Sequence, residues 1–227
     1  MLTSQNRRLL IATLTSCALL TPTTAYADSS ETGSGPKGEA VEYLTATDSK
    51  GVTRTVSTKP LDQRQLKRIA SNGKLSLKRQ LPSAKWRACA WNAKENKVVH
   101  DYTRIRVRHG GHIKGSTAYL ECGSKKFGYK HILGGHQKDW ADESWYINQN
   151  WRDLAGWSIY HILRDPDKVV FRKDKSWCWS RAIFLYKGKK HVKTIYPKVG
   201  LGATGKRIIT AFPSGTQCSG KKVYPTR

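Results

Sequence analysis

The chain has 227 residues, of which 41 are Lys or Arg and 16 Asp or Glu, a formal charge of +25 at neutral pH. Self-repulsion of that size costs stability, so the charge points to a polyanionic partner: nucleic acid, anionic cell-wall polymer or a membrane surface. There is no dense carboxylate cluster of the kind a two-metal nuclease needs and no GxSxG elbow of the esterase type.

Residues 1–27 have the layout of a secretory signal. Arg7 and Arg8 precede an apolar stretch from Leu9 to about Leu20, and Ala25-Tyr26-Ala27 stands before Asp28. A lipobox reading of Leu14-Thr15-Ser16-Cys17 leaves too short an apolar core, so cleavage after Ala27 and a secreted product are expected. Losing the signal removes two arginines and no acid, leaving a formal +23. No later stretch reaches the roughly 18 apolar residues of a helical membrane span.

Residues 28–85 are rich in Ser, Thr, Gly and charge and have no sustained apolar period, which reads as a mostly disordered basic linker or propeptide. One short helix is predicted within it, Leu61 to Ser71, with Pro60 near its start and Asn72-Gly73 as its stop. From Trp86 onward the texture changes, because all eight tryptophans and all seven histidines lie there or beyond. Residues 86–227 are therefore the expected folded domain.

Tyr102 to Arg108 alternates, with Arg104, Arg106 and Arg108 on one face and Ile105 and Val107 on the other, the pattern of a half-buried strand. Gly110-Gly111 offers a turn, and Ile113 to Cys122 returns as a second strand. The turn also accounts for the glycines between His109 and His112, so no metal site is assigned there. Tyr129 to about Asp165 reads as helical, ending at Asp165-Pro166. Three strand stretches follow: Val169 to Arg172 leading to Trp177 through Tyr186, Val192 to Tyr196, and Arg207 to Phe212. The expected class is α+β, helices preceding a four- or five-stranded antiparallel sheet.

Four cysteines follow the signal, Cys89, Cys122, Cys178 and Cys218. In an exported chain they read as two disulfides, with three connectivities open. No CxxC pair supports zinc, and no cofactor is expected.

The segment Gly128-Tyr129-Lys130-His131-Ile132-Leu133-Gly134-Gly135-His136 carries the best candidate chemistry. Cleaving RNA without a metal requires a base for the 2′-hydroxyl proton, an acid for the 5′-oxygen, and fixed positive groups around the phosphorane. Histidine, titrating near ~6.5 when unperturbed, suits both proton transfers, and Lys or Arg suits the third. On a straight helix His131 and His136 stand about 140° apart, and Gly134-Gly135 is expected to bend or end the helix and bring them together.

The GYKHI...H segment, the helix ending at Asp165-Pro166, the strand Lys168-Val169-Val170-Phe171 and the terminal Arg207-Ile208-Ile209-Thr210-Ala211-Phe212-Pro213 resemble the barnase/EndoU/colicin/RelE-type RNase toxins, over roughly Phe127 to Pro213. The resemblance implies helices before a four-stranded antiparallel sheet. It implies His131 as general base or acid, Thr210 as a phosphate contact, and Arg181 or Lys193 as the phosphorane-stabilising cation. It also implies a possible acidic immunity protein as partner. Arg104, Arg106 and Arg108 are the expected phosphate track. The resulting expectation is a secreted, metal-independent endoribonuclease or RNase toxin. Its rival is a noncatalytic basic module binding anionic cell-wall polymer, polysaccharide or nucleic acid.

Overall fold

The structure is a computed structural model and describes residues 43–47, 51–71, 84–108, 112–113 and 115–222. The signal-like residues 1–27 lie outside the described residues, as does most of the Ser/Thr/Gly-rich stretch before residue 43.

The expected linker is not all linker. Strands β1 (Tyr43–Thr47) and β2 (Thr53–Ser57) form an antiparallel hairpin. It adds β2 to the edge of β9 (Ile183–Lys187), which pairs in turn with β10 (Lys190–Ile195). The four make one antiparallel sheet in the order β1-β2-β9-β10. The cause is the apolar and β-branched content of Thr53 to Ser57, whose Val56 is buried and whose Thr55 is fully enclosed. Helix α1 (Gln63–Ser71) follows, opened by a capping box in which Asp62 and Gln65 exchange side-chain to backbone hydrogen bonds of 2.7 and 2.9 Å. Its Leu66 and Ile69, with Leu61 just before it, pack on Tyr186 of β9, whose hydroxyl accepts from Leu61 N at 3.0 Å.

Strand β3 (Val98–Arg104) pairs antiparallel with β6 (Ser116–Glu121), and the short β4 (Val107–Arg108) pairs with β5 (His112–Ile113). The single strand expected over Tyr102 to Arg108 is thus interrupted, because Ile105 N donates to Leu163 O at the end of the second long helix instead of to a strand. Two helices fill the helical stretch, α2 (Gly128–Tyr146) and α3 (Trp151–Arg164). Asn150 caps α3 by accepting from Arg152 N at 2.8 Å.

The second four-stranded sheet has the order β12-β11-β8-β7, from β7 (Lys168–Phe171), β8 (Trp177–Ser180), β11 (Lys198–Leu201) and β12 (Ile208–Phe212). Its register places Val169, Trp179, Val199 and Ala211 in one row, and all four join Leu154, Ile159 and Ile162 of α3 in the main core. The adjacent row, on the opposite face, is Val170, Cys178, Gly200 and Thr210. The class is α+β with antiparallel sheets, but the helices lie between strands in sequence and do not simply precede one sheet. The stretch Trp177 through Tyr186 divides at Arg181-Ala182, so that β8 and β9 enter different sheets.

The cysteines pair as Cys89–Cys122 and Cys178–Cys218, with Cα atoms 5.6 and 5.9 Å apart. The first joins the segment before β3 to the end of β6. The second pins the C-terminal segment onto β8. No helix among the described residues is long and apolar enough to cross a membrane.

A chain beginning at residue 86 lacks β2 and α1 and leaves one edge of β9 and the Tyr186 ring uncovered. It should lose the cooperative thermal unfolding transition of the full chain, read by circular dichroism.

His161 of α3 is buried, its ring 4.2 Å from that of Trp157. Burial, reinforced by the nearby Arg181 charge, pushes its pKa down to about 4. The unfolded chain therefore binds a proton that the folded one refuses between those values. The His161 contribution is fully present above about pH 6.5 and is lost as pH falls toward 4, on the order of 3 kcal/mol. Urea unfolding at both ends of that window should show a shallower pH dependence for His161→Leu than for the parent chain.

Candidate functional site

The N-terminal end of α2 is set by a tight loop, Cys122 to Gly128. Gly123 and Gly128 both have positive φ, 63° and 76°. A Cβ on Gly123 would stand 1.9 Å from Phe127 O, and one on Gly128 would stand 2.6 Å from Glu121 O, so the loop closes only around glycine. Ser124 N donates to Phe127 O at 2.9 Å and Lys130 N to Cys122 O at 2.9 Å. This loop presents the Lys125 carbonyl to His131 Nδ1 at 2.8 Å. A carbonyl only accepts, so Nδ1 carries the hydrogen and a neutral His131 keeps its lone pair on Nε2.

Helix α2 continues unbroken through Gly134-Gly135, contrary to the expected bend. The two histidines nevertheless meet, with ring centroids 5.5 Å apart in an edge-on arrangement. The glycines achieve this by absence. They occupy the positions three and four after His131, which are its neighbours on the helix surface, and open space surrounds where their Cβ atoms would be. Over that saddle the rings lean together despite their angular separation. His136 Nδ1 lies 3.1 Å from Asp139 Oδ2, and its ring stacks on Phe212 of β12 at 4.9 Å and 24°. Trp140, one turn further on, anchors the helix to the same strand by donating to Ala211 O at 3.0 Å.

Arg207 stands at the start of β12. Its guanidinium lies 4.6 Å from the Phe127 ring centre, and its Nε is 2.8 Å from Glu121 Oε2, with the arginine side chain 52% exposed. Phe127 immediately precedes α2, about one turn before His131. A partly exposed imidazole pair thus lies on the same end of α2 as a guanidinium held by a carboxylate and an aromatic ring.

The other expected site residues fall elsewhere. Thr210 is two residues from Phe212 on the same face of β12, so the structure does bring this strand to the histidines. Its Oγ1, however, is buried with no hydrogen-bond partner among the described residues, over Gly200. Arg181 is buried, donating from Nη1 to Asp165 O and Oδ2 at 2.5 and 2.6 Å at the end of α3. Lys193 of β10 pairs with Glu143 of α2 at 2.7 Å. It lines a cavity of about 280 Å³ together with Asp139, Asp142 and Ser214, so that this cavity adjoins His136 through Asp139. Arg104 is 2% exposed and donates to Gly205 O and Ile105 O, both at 3.0 Å. It is a packing residue, not part of an exposed track. Arg106 is exposed, and the side chain of Arg108 lies outside the described residues. Among the described residues no group of three or more His, Cys, Asp or Glu is placed to hold a metal ion.

Sequence reasoning missed Arg207 beside Phe127 at the start of α2, and Phe212 and Asp139 as neighbours of His136. Arg207 and Phe212 lay inside the terminal segment already singled out, and Asp139 stood three residues after His136. The Phe212 contact depends on the packing of α2 against β12, which sequence spacing does not encode, whereas the Asp139 contact follows from helical i,i+3 spacing.

No family model matches the chain, and no solved structure matches it. Two uncharacterized proteins of Mycobacterium tuberculosis are similar to it, MT0764 of strain CDC 1551 / Oshkosh and Rv0739 of strain H37Rv. Each is 31% identical over 140 residues, which is 58% of this chain and 50% of the relative. The chain therefore spans about half the length of the curated relatives it matches.

Gly134→Ala and Gly135→Ala fit a helical backbone with open space around the new methyl group. Each should raise stability by about 0.5–1 kcal/mol, measured by denaturant unfolding, because the loss of glycine's unfolded-state freedom is uncompensated by any clash. Leucine at either position should drive the two imidazoles apart, which nuclear Overhauser contacts between the rings will report.

Proposed function

We propose that the protein is a secreted, disulfide-stabilised, metal-independent endoribonuclease, of the kind the resemblance to barnase/EndoU/colicin/RelE-type RNase toxins implies. The observation that carries this reading is the His131–His136 pair, two partly exposed rings 5.5 Å apart whose Nδ1 atoms are both held by acceptors. Two disulfides fit an oxidising compartment, and the +25 charge fits a polyanionic substrate.

In this mechanism His131 Nε2 takes the proton from the ribose 2′-hydroxyl, and the 2′-oxygen attacks phosphorus. His136, oriented by Asp139, gives a proton to the 5′-oxygen as the P–O5′ bond breaks. The products are a 2′,3′-cyclic phosphate and a free 5′-hydroxyl, and the enzyme is left with its two histidines in exchanged protonation states. Arg207 replaces Arg181 and Lys193 as the cation stabilising the phosphorane, because it lies on the same end of α2.

A second reading, a noncatalytic basic module that binds nucleic acid, polysaccharide or anionic cell-wall polymer, draws on Trp91 and Trp145, which are 77% and 75% exposed. The oxidised protein should cleave total RNA in the presence of EDTA. His131→Ala and His136→Ala should each slow cleavage by about 10²–10⁴-fold while leaving RNA binding largely intact. An oxidised protein that binds RNA in a salt-sensitive manner and never cleaves it would move the assignment to the binding module.

A further inference from the structure

Trp91 is among the most solvent-exposed large apolar side chains of the described residues, at 77%, yet the segment that carries it is firmly tied. Ala93 N closes a turn on Ala90 O at 3.0 Å, and Lys97 N closes the next on Lys94 O at 3.1 Å. Further bonds join this segment to the base of α2. The Cys89–Cys122 disulfide is one. Cys122 N donates to Lys97 O at 2.7 Å and Gly123 N to Glu95 O at 2.8 Å. The Lys130 ammonium donates to Ala93 O at 3.1 Å and lies 5.9 Å from the centre of the Trp91 ring. Lys130 is the residue immediately before His131.

An exposed indole on a mobile tip needs no explanation, but one on a cross-linked platform next to Lys130, which adjoins His131 in α2, has lost its freedom while staying largely open to solvent. The surrounding sequence from Lys85 to Lys97 holds Lys85, Arg87, Lys94 and Lys97 against the single acid Glu95, which favours a polyanion over a neutral glycan as what approaches it.

We propose that Trp91 is a stacking subsite for an unpaired nucleobase of single-stranded RNA next to the phosphate that His131 and His136 address, with Lys130 contacting the adjoining phosphate. This inference rests on the reading of the histidine pair as an RNA-cleaving site and adds a substrate class to it. Stacking on an indole needs an exposed base face, so single strands bind here and duplexes do not.

The test uses the oxidised full chain carrying His131→Ala, so that RNA survives the measurement, and a 12-nucleotide oligouridylate as probe. Adding Trp91→Ala should weaken binding roughly 5- to 100-fold, the scale of one base–aromatic stack, whereas Trp91→Phe should recover most of it. Because stacking releases no counterions, that ratio should persist from low to high salt while both affinities fall together. Binding to a duplex of the same length should not respond to Trp91→Ala. Trp91 packs little, so its variants should unfold at the parent's denaturant midpoint, which separates loss of the subsite from loss of the fold. Equal affinities of the Trp91→Ala and parent chains for the single strand would overturn the proposal, as would a Trp91-dependent affinity for a neutral hexose polymer without one for RNA. A chain whose oligouridylate binding depends on Trp91 but whose unmutated form cleaves no RNA would keep the subsite and overturn the catalytic reading alone.

Discussion

The buried Arg181 guanidinium is the contact on which the two-sheet arrangement depends. The chain reaches Ser180 as the last residue of β8 in one sheet and begins Ile183 as the first of β9 in the other. Between them Arg181 turns inward and donates to both the carbonyl and the carboxylate of Asp165, at the point where α3 ends. Ala182 N completes the clamp by donating to Asp167 Oδ2 at 2.7 Å. Burying the guanidinium is tolerable because Nη1 meets both the carbonyl and the carboxylate of Asp165, although Nε is buried with no hydrogen-bond partner among the described residues. Removing Asp165 leaves the buried guanidinium without its carboxylate, so the pair ties the end of α3 to the junction of β8 and β9.

Three of the basic side chains are engaged within the fold by backbone carbonyls. Arg104 donates to Gly205 O and faces the Trp179 ring at 5.7 Å, Arg54 donates to Tyr146 O at 2.8 Å, and Arg181 holds Asp165. Each joins elements far apart in sequence through backbone carbonyls that the loops leave without strand partners. The outward-facing positive charge rests on the remaining exposed cations, Arg106 and Lys94 among them.

Helix α2 combines anchoring and openness along its length. Tyr129, Ile132, Trp140 and Ser144 are buried, while Gly134 and Gly135 weaken the helix on the face where the histidines converge. Two glycines in a helix interior together cost on the order of 1–2 kcal/mol relative to alanine. That cost accompanies the open saddle beside which the two imidazoles approach each other.

Several features were legible in the sequence alone: the α+β class, the helical stretch after Tyr129, the pairing of four cysteines into two bridges, and the approach of His131 to His136. These are written in local periodicity, turn chemistry and residue type, which act over a few residues. Tertiary structure decided the rest. It placed Thr53 to Ser57 in a sheet because the edge of β9, some 130 residues later, needed a partner, and it broke the arginine-faced strand at Ile105 because the end of α3 offered a carbonyl there. It buried Arg104 and Arg181, chose Cys89–Cys122 and Cys178–Cys218 among three pairings, and set Arg207 and Phe212 beside α2. Those outcomes depend on which carbonyl, ring or thiol a distant segment brings within reach, and that is a property of the packed chain.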